Sequence, residues 1–239
     1  MMRAKEKTSV LGLFGAKQGP LQMKNTLAKL VLALATLVAL ASCGGKMRHA
    51  NYYALSLPAP PDLHPAANMH AAVAIREFRA PAYLRQGAIV YKSSPEQIGF
   101  YAYHRWAMNP CDFVTDSVIV RLRASGQFAN VTAYDGRANT EYVLSGWLEK
   151  LEEIDYAGGV KVEVAISAQM TNLATGATVW SNSVSEVGDV KKSDVPAVVS
   201  EMNRTMERAI NKLLSPMPAD VAAVPTAARA QDSIDQRVR

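Results

Sequence analysis

The sequence predicts an α+β fold in which a mixed, mainly antiparallel β-sheet packs against two helices as a two-layer sandwich. Residues 161–170 have the clearest alternation in the chain: apolar side chains such as Ile166 share one face, and Lys161, Glu163, Ser167 and Gln169 share the other, which indicates a strand buried on one side. The segments 109–126 and 194–214 instead repeat apolar residues at helical spacing. Because strands, helix, strands and helix follow one another with hairpin-length links, a sheet layer covered by a helix layer is expected.

Four short strands are predicted before the first helix, from runs of alternating or aromatic residues. They cover residues 52–57, 71–78, 88–91 and 98–103. Four prolines between residues 58 and 65 interrupt regular structure after the first strand. The turn-forming residues 93–96 join the last two strands as a hairpin.

Both predicted helices have recognisable ends. Asn109 can cap the first free amides, and Pro110 suits the first helical position because it has no N–H to leave unpaired. Gly126 is a suitable stop for this helix. Asp194 can cap the second helix in the same way, and prolines from residue 216 onward end it.

Three segments in the second half predict an antiparallel meander: residues 141–155, residues 161–170 and a strand that begins at Thr178. Glycine-containing turns of hairpin length separate them, and Trp147 is counted among the apolar residues of the first. Residues 216–239 are rich in Ala, Asp, Gln and Arg without an apolar period, which predicts a disordered tail. The folded domain is therefore expected to cover residues 70–215.

The N-terminal segment has the organisation of a secretory signal peptide. Positive charge precedes an apolar run at 30–39, and this run is shorter than the roughly 20 residues that span a bilayer. Residues 40–43 read Leu-Ala-Ser-Cys and resemble the lipobox of bacterial lipoproteins, which implies cleavage before Cys43 and acylation of that residue. Residues 1–42 are thus the predicted signal peptide, with 1–22 as an over-extended start. An ordinary signal peptide or anchor helix with a chance cysteine is the alternative.

Lipidation would make residues 43–69 a membrane tether that leads into the first strand. Several acyl chains hold a protein firmly, because each buried methylene adds ~0.8 kcal/mol and two chains anchor stably. We therefore expect a domain that is attached to a membrane by its lipid anchor and faces the periplasm. Gly44 stands where Asp would suggest retention at the inner membrane, which favours the outer membrane.

Charge and cysteine content exclude two classes of function. Residues 1–42 carry six Lys and Arg residues and one Glu, so the chain from Cys43 onward is formally neutral. No electrostatic argument for a nucleic-acid partner remains. Cys111 is the one cysteine left after lipidation, which excludes an intrachain disulfide and a thiolate metal cluster. Its apolar helical setting favours a small buried hydrophobe over a reactive thiol.

The residue pattern indicates no catalytic, metal or cofactor site. Three of the four histidines lie in or near the tether, and for His104 a structural or surface role is favoured over catalysis. No Gly-x-Ser-x-Gly elbow occurs. Acidic residues cluster at 149–155 without a histidine nearby, so a solvated edge is favoured over a metal site or an acid–base pair. The protein is therefore not predicted to be an enzyme.

Several short motifs follow the lipobox in a characteristic order. They are Tyr-Tyr-Ala-Leu at 52–55, Val-Ala-Ile at 73–75, Ala-Pro-Ala-Tyr-Leu at 80–84, Ile-Val-Tyr at 89–91, Tyr-His-Arg-Trp-Ala at 103–107 and Phe-Ala-Asn-Val at 128–131. In this order and spacing the chain resembles the ABC-type transport auxiliary lipoproteins, which include the lipoprotein of the paraquat-inducible system. The resemblance covers roughly 50–214. Met108 and Asn109 stand where many members have an acidic residue, so the chemistry of this loop is not carried over.

The resemblance implies a non-enzymatic component of an Mce-type lipid transport system, with the Mce-domain periplasmic substrate-binding protein of an ABC transporter as its partner. Aromatic and Arg side chains are common interface anchors, and they cluster around the predicted 88–103 hairpin. We predict partner binding by Tyr83, Arg85, His104 and Arg105, whereas Trp106 is expected in the core. A lipid-binding carrier, or a small envelope hydrolase, is the alternative, and assembly into a homo-oligomer stays open.

Overall fold

The computed structural model describes residues 25, 28–34, 48–60, 71–136, 140–156 and 158–217 of the chain. The chain divides into two compact units, residues 1–48 and 49–239. In the first unit, residues 28–34 of the predicted signal peptide are helical. None of the described helices is both long enough and apolar enough to cross a membrane. The predicted lipidation site Cys43, and all but the first two residues of the predicted tail, lie outside the described residues.

The described residues of the second unit form eight strands and two helices. The strands are β1 (Asn51–Tyr53), β2 (Ala72–Ile75), β3 (Ala88–Lys92), β4 (Ile98–Trp106), β5 (Asn130–Ala133), β6 (Tyr142–Ile154), β7 (Lys161–Asn172) and β8 (Thr178–Asp189). The helices are α1 (Pro110–Ser125) and α2 (Val195–Leu214), and a 3-10 turn covers Ala82–Gln86.

β6 is the central strand of a mixed sheet. One edge of β6 pairs antiparallel with β7, which pairs antiparallel with β8, so the predicted meander is confirmed. The other edge of β6 is divided between β2 and β3, which both run parallel to it. β5 extends the sheet beyond β2, and β4 followed by β1 extends it beyond β3. The predicted hairpin is the antiparallel pair β3–β4.

The helices close a single contiguous core, and the predicted α+β sandwich is confirmed. α2 packs on β7 and β8, α1 packs on β2 and β5, and the two helices contact each other. Asn109 Oδ1 accepts a hydrogen bond from Cys111 N at 3.0 Å, and Asp194 Oδ1 accepts one from Ala197 N at 2.9 Å. Both predicted N-terminal caps therefore satisfy helix amides as expected.

The first strand is shorter than predicted. β1 pairs in parallel with β4 for three residues, and this ladder ends at Trp106, the last residue of β4. Residues 54–57 therefore have no neighbouring strand to pair with, and their two leucines pack against the core instead. Ser56 N donates to Asn203 Oδ1 of α2 at 3.0 Å, which fixes this segment on the helix.

Candidate interaction surface

The face of the β6–β7–β8 meander that lies opposite the helices carries mostly small polar side chains. Trp147 of β6 lies opposite Ser167 of β7, which lies opposite Ser183 of β8. Successive residues of a strand alternate between faces, and Trp147 is 45% exposed on this one. The neighbouring row of the same face contains Ser145, Gln169 and Ser181.

Two arginines stand beside Trp147 because the chain after β2 continues along the edge of β6. Arg79 N donates to Gly146 O at 3.0 Å, and Arg79 forms an isolated parallel bridge with Trp147. The Arg76 guanidinium carbon lies 4.6 Å from the centre of the Tyr134 ring, a cation–π contact that orients it. Both arginine residues are exposed.

These residues line a groove, which we call the Trp147 groove. Its volume is about 680 Å³, which falls in the range of roughly 300–1,000 Å³ that is usual for ligand sites. Trp147 is the one large apolar side chain in the lining, and Glu77 is the one carboxylate. A second cavity of about 360 Å³ shares Arg76, Arg79 and Trp147 and adds Arg85 to the lining.

The 3-10 turn carries two of the residues that the sequence predicts to bind a partner. Arg85 is exposed, whereas Tyr83 is half-buried and its hydroxyl donates to Glu149 O of β6 at 3.4 Å. Burial, followed by the negative charge of Glu152, raises the pKa of Tyr83. Gly87 ends the turn with a φ of 75°, a left-handed conformation that glycine adopts without a steric cost.

Arg105 joins the same surface from the neighbouring strand β4. Its Nη2 donates to Gln86 O, at the end of the 3-10 turn, at 2.7 Å. This bond ties β4 to the turn that carries Tyr83 and Arg85. We call these three residues, Tyr83, Arg85 and Arg105, the turn surface. The structure thus brings together three of the four predicted partner-binding residues, and their role stays a prediction.

His104 belongs to a different environment, because adjacent strand residues face opposite sides. A hydrogen bond of 2.9 Å joins His104 Nδ1 to Tyr53 Oη of β1. The ring of Tyr101 meets the His104 ring edge-on, with 5.6 Å between the ring centres. His104 therefore connects β1 to β4, and its predicted contact with a partner stays a prediction. Trp106 is 6% exposed, which confirms its predicted place in the core.

The acidic residues at 149–155 form the predicted solvated edge only in part, since Glu149 and Asp155 are exposed and the two between them are buried. Glu152 is 1% exposed and Glu153 is 5% exposed, because β3 pairs with this end of β6 and covers it. Glu152 Oε1 lies 3.1 Å from Lys92 Nζ of β3. Glu153 Oε2 accepts a hydrogen bond from the Tyr101 hydroxyl at 2.8 Å. These carboxylates are parts of the packed structure at the end of the sheet.

Glu153→Gln is expected to stabilise the domain near pH 7. Burial raises the pKa of Glu153 above its ordinary value of 4.5, although the Tyr101 hydrogen bond acts in the opposite direction. Between the ordinary and the raised pKa the folded state binds more protons than the unfolded chain, so stability falls as the pH rises through this window. Glutamine carries no charge and keeps an acceptor for the Tyr101 hydroxyl.

Urea unfolding of both proteins at pH 7 and pH 4 measures this effect. The variant should be more stable than the parent protein at pH 7, and this advantage should shrink at pH 4, where the carboxyl is largely protonated in both states. An equal difference at the two pH values would mean that ionisation of Glu153 does not cause it.

Cys111 is buried at the start of α1, as the sequence predicts. Burial raises the pKa of its thiol, which keeps the sulfur protonated and unreactive. Within the part of the chain that the structure describes, no group of three or more His, Cys, Asp and Glu residues could hold a metal ion.

Sequence analysis missed the surface position of Trp147, which it counted with the apolar residues of its strand. The alternation of β6 contains the missing signal: Tyr142, Leu144 and Leu148 are buried on the core face, which assigns Trp147 to the opposite face together with Ser145. The neighbouring Arg76 and Arg79 could not be placed there without knowing which strand lies beside β6.

The protein is a packed two-layer α+β domain, and its surface carries exposed arginines and an exposed tryptophan, which are common anchors at binding interfaces. Comparison with protein families identifies the group to which it belongs. The model of the ABC-type transport auxiliary lipoprotein component matches residues 53–213, so the chain is a member of this family. No curated protein matches the chain in sequence.

Two solved structures show the same fold. The crystal structure of protein XCC0632 from Xanthomonas campestris, of the family DUF330, is similar with a TM-score of 0.60 and 18% identity, over 77% of this chain and 99% of that one. A crystal structure of an uncharacterized protein is similar with a TM-score of 0.53 and 15% identity, over 69% and 95% of the two chains. At these identities the likeness concerns the fold alone.

Proposed function

We propose that this protein is a lipid-anchored periplasmic lipoprotein that serves as a non-catalytic adaptor of an Mce-type ABC lipid transport system, at the outer membrane. Family membership supports the context of ABC-type transport. The lipobox ending at Cys43 supports the anchor, and Gly44 after it supports the outer membrane. In this proposal the domain captures the Mce-domain periplasmic substrate-binding protein and holds it near the membrane.

The observation that supports this proposal is that the turn surface is both exposed and held in place by hydrogen bonds. Arg85 is exposed on a 3-10 turn that is held from two sides, by the hydrogen bond of Tyr83 to β6 and by that of Arg105 to Gln86. A surface that is already ordered loses little conformational entropy when a partner binds. Tyrosine and arginine are also residues that frequently dominate binding energy.

A lipid carrier fits the described residues less well. A carrier needs an apolar cavity that encloses acyl chains, whereas the Trp147 groove is lined largely by hydroxyl, amide and guanidinium groups. The apolar side chains on the other face of the sheet, such as Ile166 and Met170, are fully buried in one contiguous core with the helices. The structure therefore favours an adaptor.

The combined change Tyr83→Ala and Arg85→Ala is expected to weaken capture of the substrate-binding partner more than about tenfold. Anchors of these types contribute about 2 kcal/mol or more when they are buried at an interface, and about 1.4 kcal/mol corresponds to a factor of ten. The measurement is a quantitative pull-down of the Mce-domain protein with the lipid-free chain from residue 44. Val120→Ala, an exposed position on α1, is the matched control and should bind as the parent protein does.

His104→Ala separates the adaptor from a catalytic or ligand-binding role. Loss of the Tyr53 hydrogen bond should lower stability slightly and leave partner capture close to normal. If the double variant at the turn binds normally and His104→Ala alone abolishes envelope function, the adaptor proposal is wrong.

A further inference from the structure

We propose that the Trp147 groove is a second binding site, which takes a carboxylate-bearing glycan strand of the cell wall. This site adjoins the turn surface, because Arg85 lines the cavity that shares Trp147 with the groove. The inference rests on the proposed envelope location and does not depend on partner capture. Three features of the groove support the inference: its polar floor, its exposed tryptophan, and its two arginines, which form no ion pair with a carboxylate of the described residues.

The floor of the groove is made of short hydrogen-bonding side chains. Serine hydroxyls and glutamine amides both donate and accept hydrogen bonds, so Gln169, Ser181 and Ser183 can match the hydroxyl and acetamido groups of a sugar chain. The Ser167 hydroxyl already donates to Glu149 Oε1 and can only accept. The centres of protein–protein interfaces are instead depleted in serine and enriched in aromatic residues and methionine. The composition of this floor therefore favours a polyhydroxylated ligand over a second protein.

Trp147 supplies the apolar surface that such a floor lacks. Trp106 and Trp180 are 6% and 8% exposed in the core, whereas Trp147 is 45% exposed between polar neighbours. An exposed aromatic ring beside hydrogen-bonding groups can pack on the apolar face of a sugar ring while the sugar hydroxyls reach the serines. Because β6 is the central strand of the sheet, the backbone that carries this ring is held from both sides.

The charge of the groove points to an anionic glycan. Arg76 and Arg79 form no ion pair with a carboxylate of the described residues, and neither does Glu77. Glu149 stands beside the floor, where its carboxylate accepts a hydrogen bond from Ser167. Arg85 lines the adjoining cavity, so the three arginines Arg76, Arg79 and Arg85 outnumber the two carboxylates Glu77 and Glu149. Arginine binds carboxylates with two parallel hydrogen bonds, and Arg76 is already oriented by the Tyr134 ring. Cell-wall glycan presents this chemistry to a protein of the envelope, because it combines N-acetyl groups with the free carboxylates of its peptide stems.

The test uses the full chain purified in detergent and two probes. Isolated cell-wall sacculi are pelleted with the protein, and soluble glycan fragments with peptide stems are titrated by tryptophan fluorescence, to which Trp147 is the exposed contributor among the described tryptophans. We expect saturable binding that salt weakens. Trp147→Ala should lower the affinity at least tenfold.

The charge contribution is tested separately with Arg76→Gln and Arg79→Gln. This double variant should lose affinity for the carboxylated fragments while its weaker affinity for a neutral chitin oligosaccharide stays unchanged. Val120→Ala should bind both probes as the parent protein does. Tyr83→Ala alone, which changes the turn surface and leaves Arg85 in place, should also keep glycan binding, so failure of the adaptor proposal and failure of this one are distinguishable.

Two results would overturn the proposal. The first is absence of binding to sacculi and fragments, or binding that is unaffected by Trp147→Ala in a variant with an unchanged circular dichroism spectrum. The second is a Trp147→Ala variant that loses capture of the Mce-domain protein and keeps glycan binding, because the groove would then be a protein interface.

Discussion

Ile166→Asp is expected to unfold the domain. Ile166 is fully buried on the core face of β7, where its strand neighbours are Leu148 of β6 and Val184 of β8. A carboxylate at this position would have no cation or water to replace its hydration, and such changes cost more than about 4 kcal/mol. A domain of this size is stable by about 5–15 kcal/mol, so the change removes most or all of its stability. Urea unfolding followed by circular dichroism measures the loss.

Lys161→Asp on the same strand is the matched control. Lys161 is partly exposed, and its side chain forms a 3.9 Å ion pair with the exposed Asp189. Surface pairs of this kind contribute about 0–1 kcal/mol, and the new repulsion from Asp189 adds a few tenths. Equal stability of the two variants would contradict the assignment of β7 as a strand with one buried face.

The parts of the fold that local sequence determines could be predicted well. The alternation of β7 gives its buried face because side chains of a strand alternate between two sides. The caps at Asn109 and Asp194 involve bonds to amides two and three residues away. Neither feature depends on which distant segment packs beside it, so a short stretch of sequence is enough to predict both.

The sheet order could not be predicted, because strand pairing joins residues far apart in the chain. Val73 of β2 pairs with Tyr142 of β6, and Tyr91 of β3 pairs with Glu153 of the same strand. No local pattern records that two strands share one edge of β6. The burial of Glu152 and Glu153 follows from this arrangement, which explains why a run of charges was interpreted as a solvated edge.

The two candidate sites differ in the same respect: one could be predicted from local sequence, and the other depends on strand pairing. Tyr83, Arg85 and Arg105 could be proposed from residue type, since they lie close to one predicted hairpin. The Trp147 groove needs Arg79 to lie beside Trp147, and this depends on a parallel bridge between segments nearly 70 residues apart. Alternation alone could have assigned Trp147 to the open face, but not the arginines that give the groove its charge.

Cys43→Ala is expected to abolish membrane anchoring. Without the thiol, no acyl chain can be attached at the lipobox, and the anchor loses ~0.8 kcal/mol for every methylene that would have entered the membrane. One acyl chain binds a membrane only marginally, and two acyl chains bind stably. Loss of all acyl chains therefore releases the protein from the membrane or leaves it as an unprocessed precursor. Mass spectrometry of the purified chain detects lipidation and cleavage, and flotation with outer-membrane vesicles detects anchoring.

Cys111→Ala is the control that separates lipidation from a general effect of losing a cysteine. Cys111 is buried in the core at the start of α1, so its replacement should cost some packing energy and leave processing and flotation unchanged. The lipoprotein assignment is wrong if the Cys43→Ala protein is cleaved at the same position and still floats with the vesicles. Cleavage of this variant followed by release into the soluble fraction would instead show that signal processing does not need the thiol and that anchoring does.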